Sequence, residues 1–226
     1  MKYSLILFLS SLFLLLKSYC CFGQDMPLHE IIPQTGWWSE MKQSDNVIST
    51  EGLTTLKLRF SKVPFQYDIH LSDHSIWLKR GDEKPIKLEL GIPEPAGLVA
   101  IHHEGTMMIG DASSKYLWAF RINQDGSLVN PEKYATLRLP GRLLRSDVSV
   151  LLTDNRDRTY AATPYGIQIY DPTGRMCGVL TLPLKAIVTS MSWGGEEGDQ
   201  LQIVQGGKRF SRPMLAKRPG QNQKKK

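Results

Sequence analysis

The chain has 226 residues, 41% of them apolar and 22% charged, with three cysteines and a formal net charge of +6. The charge is local: eight Lys or Arg and no acid lie between Lys208 and Lys226, leaving the rest of the chain beyond its first 23 residues mildly acidic. No aromatics alternate with those charges, which excludes a nucleic-acid stacking platform, and the cysteines are too few and too clustered for a disulfide scaffold.

Residues 1–23 read as a cleavable signal. Lys2 supplies the positive start, the run "LILFLSSLFLLL" is apolar but short for a membrane span, and Cys21 and Gly23 are small residues before Gln24. The expectation is a secreted or periplasmic protein cut near Gly23, with no transmembrane span in the mature chain. Lipid attachment at Cys20 or Cys21 is the alternative, disfavoured by Lys17, Ser18 and Tyr19 before them. Cleavage leaves Cys177 alone, a small apolar strand residue rather than a nucleophile. Residues 24–50 form an N-terminal extension that caps the fold or adds an outer strand. Its "TGWW" reads as a hydrophobic plug, with sugar stacking as the alternative.

From 51 to 215 the sequence repeats. Leu98–Ile101, Met107–Ile109, Leu117–Phe120 and the turn "NQDG" align with Ser149–Leu152, Thr159–Ala161, Ile167–Tyr170 and the turn "DPTG". A further copy opens at Val188 as "VTSMSWGG", "LQIVQGG" and "KRFSRPML". An upstream copy reads "TTLKLRF", "YDIHLSD", "SIWLKRG" and "PIKLEL", placing Trp77 and Trp118 41 residues apart at matching points. Short β-branched and aromatic runs between Gly, Asp, Asn and Pro turns predict antiparallel strands. Three or four strands in 40 to 50 residues are the unit of a β-propeller. No segment has a sustained helical period. The fold class is all-β, a propeller of four-stranded blades. Six blades would need about 250 to 300 residues, so fewer than six blades or an incomplete ring is expected. Residues 216–226 are read as a basic, disordered, solubilising tail.

The stretches "GDASSKYLWAFRINQDGSL", "YAATPYGIQIYDPTGRMCGVL" and "TSMSWGGEEGDQLQIV" resemble the closing blades of the gluconolactonase, regucalcin and luciferin-regenerating-enzyme superfamily over residues 94–215. That resemblance implies a six-bladed relative, a divalent cation (Ca, Mn, Mg or Zn) on the axis, and hydrolysis of lactones or related esters. The cation would be held by Glu, Asn and Asp at the starts of innermost strands. Carried over by position, Asp147 in "RSDVSV" matches the Asp, as metal ligand and base handling water. Glu51 in "TEGL" matches the Glu weakly, as a second ligand. Ala96 in "PAGL" stands where the Asn belongs, and its methyl group cannot coordinate. Thr189 takes the corresponding point of the last blade, as a polar pocket wall beside Ala96. Ala96, Asp147 and Thr189 are thus expected at equivalent points facing one shaft.

Other chemistry is thin. His102 and His103 read as turn residues that cannot chelate together from opposite strand faces. Asp73 and Asp111 read as carboxylates bonding local turns. No nucleophile elbow, phosphate loop or Cys-x-x-Cys pair is present. Two functions follow: an exported lactone or ester hydrolase with a degenerate metal site, or a non-catalytic propeller binding a carbohydrate or protein. A small lactone, sugar or ester is the expected ligand, nucleic acid is not, and self-association would cover open blade edges.

Overall fold

The computed structural model describes residues 28–42, 55–58, 64–101 and 105–220. The leader, Glu51, His102 and His103 lie outside the described residues. Among the described residues no helix is long and apolar enough to cross a membrane.

The described residues form a β-propeller arc of four blades, each an antiparallel four-stranded sheet. Blade I comprises β2 (Thr55–Leu58), β3 (Phe65–His70), β4 (Ser75–Arg80) and β5 (Ile86–Leu88). Blade II comprises β6 (Pro95–Ile101), β7 (Thr106–Asp111), β8 (Tyr116–Ile122) and β9 (Leu128–Thr136). Blade III comprises β10 (Val150–Thr153), β11 (Thr159–Thr163), β12 (Gly166–Tyr170) and β13 (Met176–Leu180). Blade IV is built from β14 (Val188–Gly194), β15 (Gln200–Gln205) and β16 (Lys208–Pro213), and its outer strand comes from the other end of the chain, β1 (Ser39–Glu40). The extension before blade I therefore supplies an outer strand, as the sequence allowed.

Because side chains alternate across a strand, each blade offers one face to its predecessor and the other to its successor. Met107 and Ile109 pack with Tyr67, Ile69 and Leu78 of blade I, while Met108 between them packs with Leu151 and Ala161 of blade III. Tyr160 and Ala162 face blade IV, meeting Val188, Leu201 and Ile203. Fully burying such a residue contributes about 1.5–3 kcal/mol. Turns lock onto neighbouring blades as well. Tyr67 donates its hydroxyl to the Gly126 carbonyl at 2.6 Å, and Tyr134 does the same to Pro172. The two turns thus occupy equivalent places, each closed by a left-handed glycine, Gly126 at φ 80° and Gly174 at φ 81°.

Four blades share three core clusters among the described residues, between I and II, II and III, and III and IV. Among the described residues the inner strands β2, β6, β10 and β14 follow one another around the axis, and the extensive contacts that join β6 to β10 and β10 to β14 are not repeated between β14 and β2. The outward faces at the two ends are mainly polar. Blade I carries Thr55, Lys57, Gln66, Asp68 and Lys79 there together with Trp77, and blade IV carries Ser192, Gln202 and Ser211 together with Val204.

The two flanking segments join the fold more deeply than their composition suggests. Ile31 and Trp38 are buried between blades III and IV, with Trp38 donating Nε1–H to the Thr181 carbonyl at 2.7 Å, whereas Trp37 is exposed. One tryptophan of "TGWW" is thus the expected plug and the other is not. At the far end Ala216 is buried, and the Asn155 amide bonds the Lys217 carbonyl. This segment is tied to blades III and IV, with Met214 and Ala216 in their shared core and the Arg218 amide on the Gly198 carbonyl.

Candidate functional site

The inner strands of all four blades line one axial cavity of about 620 Å³. Leu98, Val99 and Ala100 enter it from blade II, Leu151, Leu152 and Thr153 from blade III, and Met191, Ser192 and Trp193 from blade IV. These three triplets fix the register between blades. Leu98 pairs with Ile109, Leu151 with Ala161 and Met191 with Ile203, each at the same depth. One paired position outward from these stand Ala96 against Gly110, Val150 against Ala162 and Ser190 against Val204. Gly97 and Thr189 are bulge residues without a partner, so Ala96 and Thr189 do not share a level. Asp147 lies outside β10 and beside Glu94, its amide on the Ala112 carbonyl while the Ala112 amide bonds the Glu94 carbonyl.

Ala96 is buried between blades II and III, where it packs rather than coordinates. Thr189 is exposed in a bulge at the start of β14, its hydroxyl 3.4 Å from the Val204 carbonyl. Ser149 donates its hydroxyl to the Val188 carbonyl at 2.7 Å, tying blade III to blade IV. Asp147 adopts a left-handed conformation, φ 48°, which Asp tolerates. Its amide bonds the Ala112 carbonyl at 3.1 Å.

The carboxylate of Asp147 belongs to a cluster with two residues the sequence reading missed. Arg145 donates Nε–H to Asp147 Oδ1 at 2.5 Å and both terminal nitrogens to Glu94, Nη1 to Oε1 at 2.8 Å and Nη2 to Oε2 at 2.6 Å. This is the planar fork that guanidinium makes with carboxylates. Hydrogen bonding from Arg145 holds the Glu94 carboxyl below the usual carboxylate range, and the same bonds to Glu94 and Asp147 push the guanidinium pKa up. Glu94 precedes β6 and Asp147 precedes β10, so two adjacent blades present acids at one level and a single arginine closes the gap.

A hard divalent cation needs several oxygen ligands. Here the two carboxylates that converge are turned onto a guanidinium, and among the described residues no three His, Cys, Asp or Glu gather in metal-binding geometry. The described residues do not fit a resident cation.

None of Glu94, Arg145 and Asp147 is among the residues lining the cavity, which is mostly apolar. Asp154 reaches its lining but is already spent in a buried cluster, accepting from Arg158 Nε at 2.6 Å and from the Tyr160 hydroxyl at 2.9 Å. Trp193 donates Nε1–H to the Thr153 carbonyl at 2.7 Å and stands edge-on to Tyr160, which fixes its ring in the wall. Ser192 Oγ, also in the wall, is buried without a hydrogen-bond partner. The remaining acids behave as turn formers. Asp111 accepts from the Ser113 amide and hydroxyl, Asp171 from Thr173 in the same way, and Asp73 from the Ser75 hydroxyl. Cys177 is half-buried and free, and burial raises its thiol pKa, the reverse of an activated nucleophile.

No family model matches this chain, and no curated protein matches it. Solved structures do. A protein assigned as a gluconolactonase superposes with a TM-score of 0.58 at 16% identity, over 72% of this chain and 58% of its own. A Xanthomonas campestris gluconolactonase of glucose secondary metabolism gives 0.55 at 17% identity, over 71% and 56%. A calcium-binding regucalcin from Agrobacterium tumefaciens gives 0.57 at 14% identity, over 71% and 61%. The fold is the one these proteins share. This chain spans less than two thirds of their length, in keeping with an arc of four blades.

Proposed function

We propose that this protein is a ligand-binding propeller module of gluconolactonase-like architecture, and not a metal-dependent hydrolase. The observation that carries the reading is the Arg145 fork on Glu94 and Asp147. An internal cation neutralises the two acids that precede β6 and β10, and Ala96 adds no donor beside them. What remains is a shaped, largely apolar chamber of about 620 Å³, well inside the size range of small-molecule sites. Export belongs to the same proposal and rests on the leader. N-terminal sequencing of the protein secreted by its native host should begin at Gln24.

Calorimetric titration of the purified protein with Ca²⁺ and Mn²⁺, paired with an aldonolactone hydrolysis assay, tests the choice. The expected result is no saturable heat from either cation and no turnover sensitive to a chelator. Saturable cation binding that disappears in Asp147→Ala, together with chelator-sensitive hydrolysis, would establish the hydrolase instead.

A further inference from the structure

The axial cavity has two kinds of wall. Its back is apolar, made by Leu98, Val99, Leu151, Leu152 and Met191. Its flanks come from the two end blades of the arc, Thr55, Leu56, Lys57 and Leu58 on one side and Ser192 and Trp193 on the other. Thr55, Lys57 and Ser192 belong to the end faces, so the polar groups of the flanks stand toward the gap. Lys57 is a cation in that wall with no carboxylate paired to it among the described residues. Ser192 Oγ is a buried donor left without a partner. An unpaired hydroxyl inside a wall is normally satisfied by protein, water or ligand. Of the acids in the same lining, Asp154 is bound to Arg158 and Tyr160, and Asp157, on the turn after β10, has an interaction of its own.

We infer that the ligand of this chamber is an amphipathic carboxylate, its apolar chain laid against the β6, β10 and β14 residues and its head group received by Lys57 Nζ and Ser192 Oγ. The inference deepens the ligand-binding reading and rests on it. A neutral sugar would leave five aliphatic side chains facing hydroxyls and Lys57 unanswered. A carboxylate head makes the charge-assisted bond that Lys57 lacks and accepts the proton of Ser192. A chain of several methylenes matches the apolar back wall.

Titration with octanoate and with octanol, which differ in the head group alone, decides the matter. Binding is followed by calorimetry and by quenching of tryptophan emission, to which Trp193 in the wall contributes. Wild-type protein should bind octanoate at least tenfold more tightly than octanol. Lys57→Gln, at an exposed position that does not threaten folding, should abolish that preference while leaving octanol affinity within twofold. Ser192→Ala should weaken octanoate about threefold to fivefold and octanol little. Equal affinity for the two compounds, or a preference that survives Lys57→Gln, overturns the assignment of the head-group site. Failure of both compounds to bind overturns the amphipathic ligand as a class. Neither result bears on the hydrolase question, which the cation and lactone measurements answer separately.

Discussion

At the scale of single residues, the acids that precede β6 and β10 are governed by one arginine. Glu94 owes its lowered pKa first to the hydrogen bonds from Arg145. The folded value lies below the unfolded one, about 4.3. The pair therefore stabilises the fold above that pH, and the contribution is lost as pH falls through the folded value. Both side chains are substantially exposed, so added salt should erode the effect. Arg145→Gln should return the Glu94 carboxyl toward its ordinary range, seen in a carboxyl-carbon NMR titration. A Glu94 value unchanged in that variant would mean the fork does not persist in solution. The buried pair below behaves differently. Arg158 and Asp154 are almost completely buried, and Asp154 also accepts the Tyr160 hydroxyl. Removing the acid strands a buried guanidinium, a loss of about 3–5 kcal/mol. Asp154→Ala should show this as a lower urea midpoint with an unchanged slope.

At the scale of elements, Gly97 governs how blades II and III approach. It sits in the bulge of β6 with φ 73°, and a Cβ there would stand 2.6 Å from the Leu151 amide nitrogen. Gly91, also left-handed at φ 70°, has nothing within 4 Å of its missing Cβ. Gly91→Ala should cost only the conformational penalty of roughly 1–2 kcal/mol. Gly97→Ala adds a backbone clash and should cost about 1–3 kcal/mol more. Thermal unfolding of the two variants separates conformation from close packing. The same strands show what was legible beforehand. The runs named for blade I fall on β2 to β5, and those named for the last blade on β14 to β16, because β-branched alternation between Gly and Asp turns is a local signal. The pairing of Ser39–Glu40 with β16 was not legible in detail, since two residues carry no pattern and their partner lies some 170 positions away. The register between the inner strands of blades II and III was harder to read, for a sharper reason. A strand slipped by two residues keeps every side chain on its own face, so alternation cannot detect the error. The turn between the first two strands is one residue shorter in blade III, where Asp154 and Arg158 hold the places of Ile101 and Thr106. Aligning the inner strands with a two-residue slip hid the match between Asp147 and Glu94 and left Arg145 without a role.

At the scale of the whole molecule, an arc of four blades resembles a solenoid more than a closed ring. Its internal interfaces are apolar, and its terminal faces carry Ser, Thr, Gln, Asp and Lys, as end-capping repeats do. The two ends are not equally secured. Blade IV meets blade III, receives β1 along its outer edge, and is overlaid by Ile31, Trp38 and Ala216. Blade I is held through its contact with blade II, reinforced by the Tyr67 hydroxyl and by Arg80, which reaches the Asp125 carbonyl at 2.5 Å. In a chain of nearest-neighbour contacts, the repeat with the fewest partners opens first. Amides of β3 and β4 should therefore exchange with solvent deuterium faster than those of β11 and β15, under native conditions where exchange reports local opening. Tyr67→Phe removes one tether from blade I alone and should widen that difference without speeding exchange in blade III. Uniform protection across all four blades would show instead that the arc opens as one cooperative unit, and that its polar ends are as firmly held as its centre.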